Sequence, residues 1–337
     1  MRPSIGVDPL LLALETEASS QQAVADLFDA IVAVAHSIRT SDVVDWFVED
    51  KLSEYLAEIG RFPINSRIKE LATQVDLVNV YSADVIRRAC TLILERANQL
   101  SELSGATFFI PDLTEPTHPG VNRKLAESAA LTFTHVALAK LFGHRMLAIF
   151  TLAHSRPSLD VKGKAHYLEP ERPVDPLDID VTLRSVSSIA SFVEELDAAE
   201  LWRCGKCVPT LSLAIRLRAL QLLRESGCAD PHSVCRSFRL GVRFVESLGA
   251  WQARGGQRHG SVTLEVCARI VAGDPFGEVK AFMTSDFVAQ RVRSQDRALA
   301  FRTHVTAQHE ALRLMHWEVD GMIEFANVGG KSELKIF

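Results

Sequence analysis

The feature that most constrains this chain is an apolar spacing of three and four residues that recurs along most of its length. Residues 20–38 place Val24, Leu27, Phe28, Ile31, Val34, Ala35 and Ile38 on one stripe, the pattern of a helix that buries one face. The same period predicts helices over 41–59, 64–75, 82–103, 122–154, 180–200, 210–226, 231–249, 260–272, 275–292 and 295–325. Capping residues agree: Ser41 precedes DVVDWF, Ser82 precedes ADVIRR, and Asp230-Pro231 opens a helix with proline at its first position. Only the run at 107–110 reads as a strand. The expectation is an all-α fold. Proline-bearing stretches at 110–121 and 155–179 interrupt it, and the division expected is a smaller N-terminal helical part, 1–121, and a larger bundle, 122–337.

Composition narrows the partners. With 47% apolar and 23% charged residues the chain has the balance of a globular protein. A net charge of −5 provides no basic footprint, so no nucleic acid is expected. The most membrane-like stretch, 129–153, carries Lys140 and Arg145 near its centre, which a bilayer disfavours, so no membrane is expected either. The apolar run at 10–14 is too short for a signal-peptide core, leaving the cytoplasm as the expected compartment. Six irregularly spaced cysteines do not form a secreted disulfide pattern. Cys204, Cys207, Cys228, His232 and Cys235 have plausible zinc arithmetic, although a strong helical segment separates the two clusters. A cofactor-free or zinc-stapled helical interaction protein is therefore one reading.

Within the predicted helix 295–325, Val305, His309, Leu312, His316, Val319 and Ile323 fall on one seam. Two histidines seven residues apart lie about 10.5 Å apart along a helix axis and cannot share one metal ion. Each is either a packed core histidine or a separate ligand.

What surrounds His316 points to chemistry. Arg313-Leu314-Met315-His316 is followed by Gly329-Gly330, and Arg254-Gly255-Gly256 followed by Ser261-Val262 precedes an apolar helix. In order and approximate separation these segments resemble the C-terminal signature of the tryptophan 2,3-dioxygenase and indoleamine 2,3-dioxygenase superfamily of histidine-ligated haem oxygenases, which includes haem-dependent tyrosine hydroxylases. The resemblance covers about the last quarter of the chain. It implies a helical bundle enclosing haem b, with His316 as the proximal ligand to iron. Arg313, Gly255, Gly256 and Ser261 would line the haem, and Gly329 and Gly330 would close over the substrate. Where one hydroxylase branch has a haem-linking cysteine this chain has Asp320, so non-covalent haem is expected. The loop reads Asn327-Val328-Gly329-Gly330, lacking the family's ammonium-binding threonine.

The activity this implies is oxygenation of an aromatic amino acid with dioxygen or hydrogen peroxide, ring hydroxylation of the tyrosine type, with ring-opening dioxygenation of a tryptophan-like substrate as the alternative. A homo-oligomer is left open. On the long helix 122–154, His135 or His154 is the candidate distal acid or base, and Arg123 or Arg145 the candidate partner of a substrate carboxylate.

Overall fold

A computed structural model describes the chain apart from residues 1, 16–19, 41–42, 107–108, 117–119, 153–155, 168–175, 285–287 and 307–310. It corrects the all-α expectation. The protein is mixed α/β, with one sheet of seven strands and another of five, and it divides into two compact units at Glu195/Leu196 rather than at 121/122.

The first unit, Pro3–Glu195, begins β1 (Ser4–Val7), α1 (Pro9–Leu12), α2 (Gln21–Thr40), β2 (Asp45–Val48), α3 (Leu52–Glu58), α4 (Asn65–Gln74) and α5 (Ala83–Arg96). It continues β3 (Asn98–Gln99), α6 (Leu100–Ser104), β4 (Phe109–Glu115), α7 (Arg123–Leu141), β5 (Leu147–Phe150), β6 (Ser158–Tyr167), β7 (Leu177–Val186) and α8 (Ile189–Glu194). The strand order is β3-β2-β1-β5-β7-β6-β4. The first five run parallel, and β6 and β4 are added antiparallel. Its central strands are short apolar runs: SIGV in β1 and LAIF in β5 are buried at every position. That is the signature of parallel strands covered on both faces.

The two faces have different covers. Trp46 on β2 donates to Ser37 Oγ of α2 at 3.1 Å and meets Phe150 edge-on at 5.9 Å. On the other face α7 lies close, because β1 has glycine at its centre. A Cβ on Gly6 would stand 2.8 Å from Val136 Cγ2. Phe133 and Val136 of α7, Phe47, Ile149, Val181 and Leu183 form the core on this side. Burying a side chain such as Phe133 contributes about 1.5–3 kcal/mol.

The second unit, Leu196–Phe337 together with Arg2, contains α9 (Ala198–Cys204), α10 (Val208–Glu225), α11 (Pro231–Val234), β8 (Phe238–Leu240), α12 (Phe244–Ala250) and α13 (Gly260–Ala272). Four strands follow: β9 (Lys280–Ala281), β10 (Leu299–His304), β11 (Arg313–Val319) and β12 (Met322–Gly329). The sheet order is β8-β12-β11-β10-β9, antiparallel except where β8 joins β12. The predicted helix 295–325 is thus three strands. The turn that reverses the chain is Asp320-Gly321, with φ of 49° and 79°, the backbone that two-residue hairpins require.

Candidate functional site

The parallel sheet creates the most ordered set of polar groups in the first unit. Registers Gly6↔Phe47 and Val7↔Phe150, carried one step past the strand ends, set Glu49, Asp8 and Thr151 side by side. All three are buried. Each is two residues beyond a position on the α7 face, so all three project there. Asp8 caps α1 by accepting Leu10 N–H at 3.0 Å, and its second oxygen accepts the Thr151 hydroxyl at 2.6 Å. This bond ties the ends of β1 and β5 at the point where the sheet order reverses direction, the usual location of a binding crevice in such folds.

Glu49 is held differently. It accepts Lys51 N–H at 3.1 Å and the Ser128 hydroxyl of α7 at 3.5 Å. Burial pushes its carboxyl up to about 7, so it takes up or releases a proton near neutral pH. It lines a cavity of about 140 Å³ with Asp50, Ser53, Glu95 and Gln99, room for a few waters and no more.

A larger groove opens on the α2 side of the sheet, at the carboxyl ends of β5 and β7. Its volume is about 840 Å³, the size range of small-molecule sites. Phe150 and Val186 line it, Asp26 and Asp29 come from α2, Ser187 and Ser188 from the turn into α8, and Ser191 from α8 itself. Two cations complete it. Arg184 on β7 is paired with Glu195, and Arg156 is exposed with no carboxylate partner among the described residues. Asp29 accepts the Tyr81 hydroxyl at 2.8 Å.

The residues singled out in the sequence do not converge. His316 lies on β11, 0% exposed, with its ring stacked on Phe301 at 5.5 Å and tilted against Phe325 at 6.2 Å. Its Nε2 lies 3.3 Å from Glu318 Oε1, and Nδ1 is sealed from solvent. The hydrogen bond from His316 and the neighbouring Arg236 hold the Glu318 carboxyl down at about 2. Arg313 and His316 are three apart on a strand, so they point to opposite faces, where a helix would have put them one turn apart on the same face. With Phe301 stacked on the ring, Phe325 packed beside it and both nitrogens shielded, these residues do not fit a haem.

The glycines serve packing. A Cβ on Gly255 would strike Arg203 Cα at 2.1 Å, and one on Gly330 would meet the Trp251 ring at 2.9 Å. Gly329 ends β12 beside Glu333, Gly256 turns the loop with φ +78°, and Ser261 is exposed on α13.

His135 sits on α7 with Nδ1 2.8 Å from Ser104 Oγ and its ring edge-on to Phe109. Burial holds it neutral, down at about 4. His154 and His309 lie outside the described residues. Arg123 is exposed and paired with Glu127, and Arg145 is exposed in the turn before β5. Cys204 and Cys207 stand at one end of α10, with Cys228, His232 and Cys235 beyond the other. Eighteen helical residues separate them by about 27 Å. Among the described residues no group of three or more His, Cys, Asp or Glu is placed to hold a metal ion. No described helix is long and apolar enough to cross a membrane.

One signal for the missed site was present. Asp8-Pro9 directly after Ile5-Gly6-Val7 is a strand passing into a capped helix. Comparison with known protein families, characterised proteins and solved structures finds no match to this chain.

Proposed function

We propose that the first unit binds a small polar molecule carrying a phosphate or carboxylate together with hydroxyl or amino groups. The observation that carries this reading is the groove at the ends of β5 and β7, which Arg156, without a carboxylate partner among the described residues, lines together with three exposed serines. An anionic group would accept from the Arg156 guanidinium and the serine hydroxyls. Asp26 and Asp29 of α2, which also line it, would accept from ligand hydroxyl or amino groups. The Asp8–Thr151 bond fixes the end of β5 at the groove, so the site is largely formed before a ligand arrives.

The test is a thermal-shift screen with nucleotides, sugar phosphates and amino acids, followed by calorimetry of any hit. The proposal expects a saturable ligand whose affinity falls about tenfold or more in Arg156→Ala, the loss of roughly one charge-assisted hydrogen bond. It also expects a weaker fall in Asp29→Asn. A hit that binds Arg156→Ala and the Ser187→Ala/Ser188→Ala variant as tightly as wild type, or a screen without hits, overturns it.

A further inference from the structure

The whole-chain charge conceals two opposite halves. Residues 3–195 hold 17 Lys and Arg against 27 Asp and Glu, whereas residues 196–337 hold 19 against 15, and 15 of those 19 are arginines. Many arginines of the second unit are neutralised. Arg218 and Arg269 pair with Glu265, Arg236 with Glu318, and Arg239 and Arg293 with Glu324.

Three are not. Arg291, Arg302 and Arg313 have no carboxylate partner among the described residues. The register brings them to one face. Arg302 stands opposite Lys280 on β9 and Met315 on β11. Arg313, two residues before Met315, shares its face. Arg291 N–H donates to Phe282 O, directly across from Phe282. The Arg291 and Arg302 guanidiniums lie over the same Phe282 ring, at 5.1 and 5.8 Å from its centre. Arg302 presses on Arg313 electrostatically, and burial with that like charge lowers the Arg313 pKa. Arg313 Nε is sheltered from solvent without a hydrogen-bond partner. A protein that left like charges together without counter-ions has a stability cost to offset.

We infer that this face of β9, β10 and β11 binds the phosphodiester backbone of single-stranded nucleic acid. The cations occupy three successive two-residue rows of the sheet, about 7 Å apart along the strands. A row of that kind follows a string of charges on an extended polymer rather than one small ion. Guanidiniums seated on an aromatic ring are pre-oriented forks for phosphate oxygens. Their flat outer surfaces also suit stacking by unpaired bases. An acidic peptide would use the charges but not those surfaces.

The experiment is fluorescence anisotropy of the full chain with a labelled oligothymidylate across a salt series, with labelled polyglutamate of equal length as the second probe. Oligothymidylate should bind, and Arg291→Gln/Arg302→Gln should weaken it about tenfold or more. The same variant should flatten the slope of log affinity against log salt by about 1.4, since each single-strand phosphate contact contributes about 0.7. Arg302→Lys, which keeps the charge but loses the planar fork and its stacking surface, should keep the wild-type salt slope while binding more weakly than wild type. Circular dichroism melting confirms that each variant is folded. Absent binding at low salt, an unchanged salt slope in the folded double variant, or polyglutamate binding as tightly as the oligonucleotide would overturn the inference.

Discussion

The two units place their buried polar groups by opposite rules. In the first, the parallel strands are covered on both faces and their buried polar side chains are small, such as Ser4 and Ser185, while Asp8, Glu49 and Thr151 collect just past the strand ends. In the second, antiparallel strands carry His316, Glu318 and Glu324 on the sheet itself: His316 is answered by Glu318 on the same strand, Glu318 by Arg236 and Glu324 by Arg293. A covered parallel sheet therefore concentrates its chemistry at one edge, while an antiparallel sheet can spread it over a face.

The comparison breaks most readily through the cores. Phe133→Ala removes a fully buried ring from beneath the parallel sheet. It should cost the first unit about 3–5 kcal/mol, read by denaturant titration. His316→Ala should cost the second unit about 2–4 kcal/mol, because it empties the space between Phe301 and Phe325 and strips Glu318 of one partner. Haemin added to wild type or to this variant should give only the sum of the separate spectra; a Soret shift in wild type that His316→Ala abolishes would restore the haem reading.

The carboxylates sharpen the contrast because their pH signs differ. Glu49 is raised from 4.5 to about 7, so the folded state holds a proton that the unfolded state has released between those values. Stability conferred by the neutral carboxyl is full below pH 4.5 and lost as pH rises to 7. Glu49→Gln should remove that loss, stabilising the protein above pH 7 by up to about 3 kcal/mol. Glu318, lowered to about 2, contributes stability above pH 4.5 that disappears as pH falls through 2. Glu318→Gln should cost roughly 1 kcal/mol at neutral pH and flatten the acid limb of a pH-melting curve.

Much of the helical content was legible. Helix α2 fills the predicted 20–38, α4 and α13 fall on 64–75 and 260–272, and α10 on 210–226. The strands were not, for two physical reasons. Runs such as LAIF are too short for periodicity to separate a buried strand from a helix end, and 122–154 reads as one helix although Gly143, with φ +97°, ends it before β5. In 295–325, spacings of four and three occur by coincidence on strands whose two faces are both covered. The Asp320-Gly321 pair was the local clue, since that dipeptide between apolar residues marks a hairpin. With a hairpin there, Arg313 and His316 fall on opposite faces of a strand rather than on one face of a helix.

Gly6 sets a limit on sequence variation that neighbouring positions do not share. Its backbone is ordinary strand, so alanine meets no torsional obstacle, yet the first added carbon would arrive 2.8 Å from Val136 and 3.7 Å from Leu100. In a deep mutational scan position 6 should accept nearly nothing alone. Val136→Ala should reopen it to alanine, making residues 6 and 136 a compensating pair. Gly60, with φ +65° and empty space around its missing side chain, should instead tolerate asparagine without any second change.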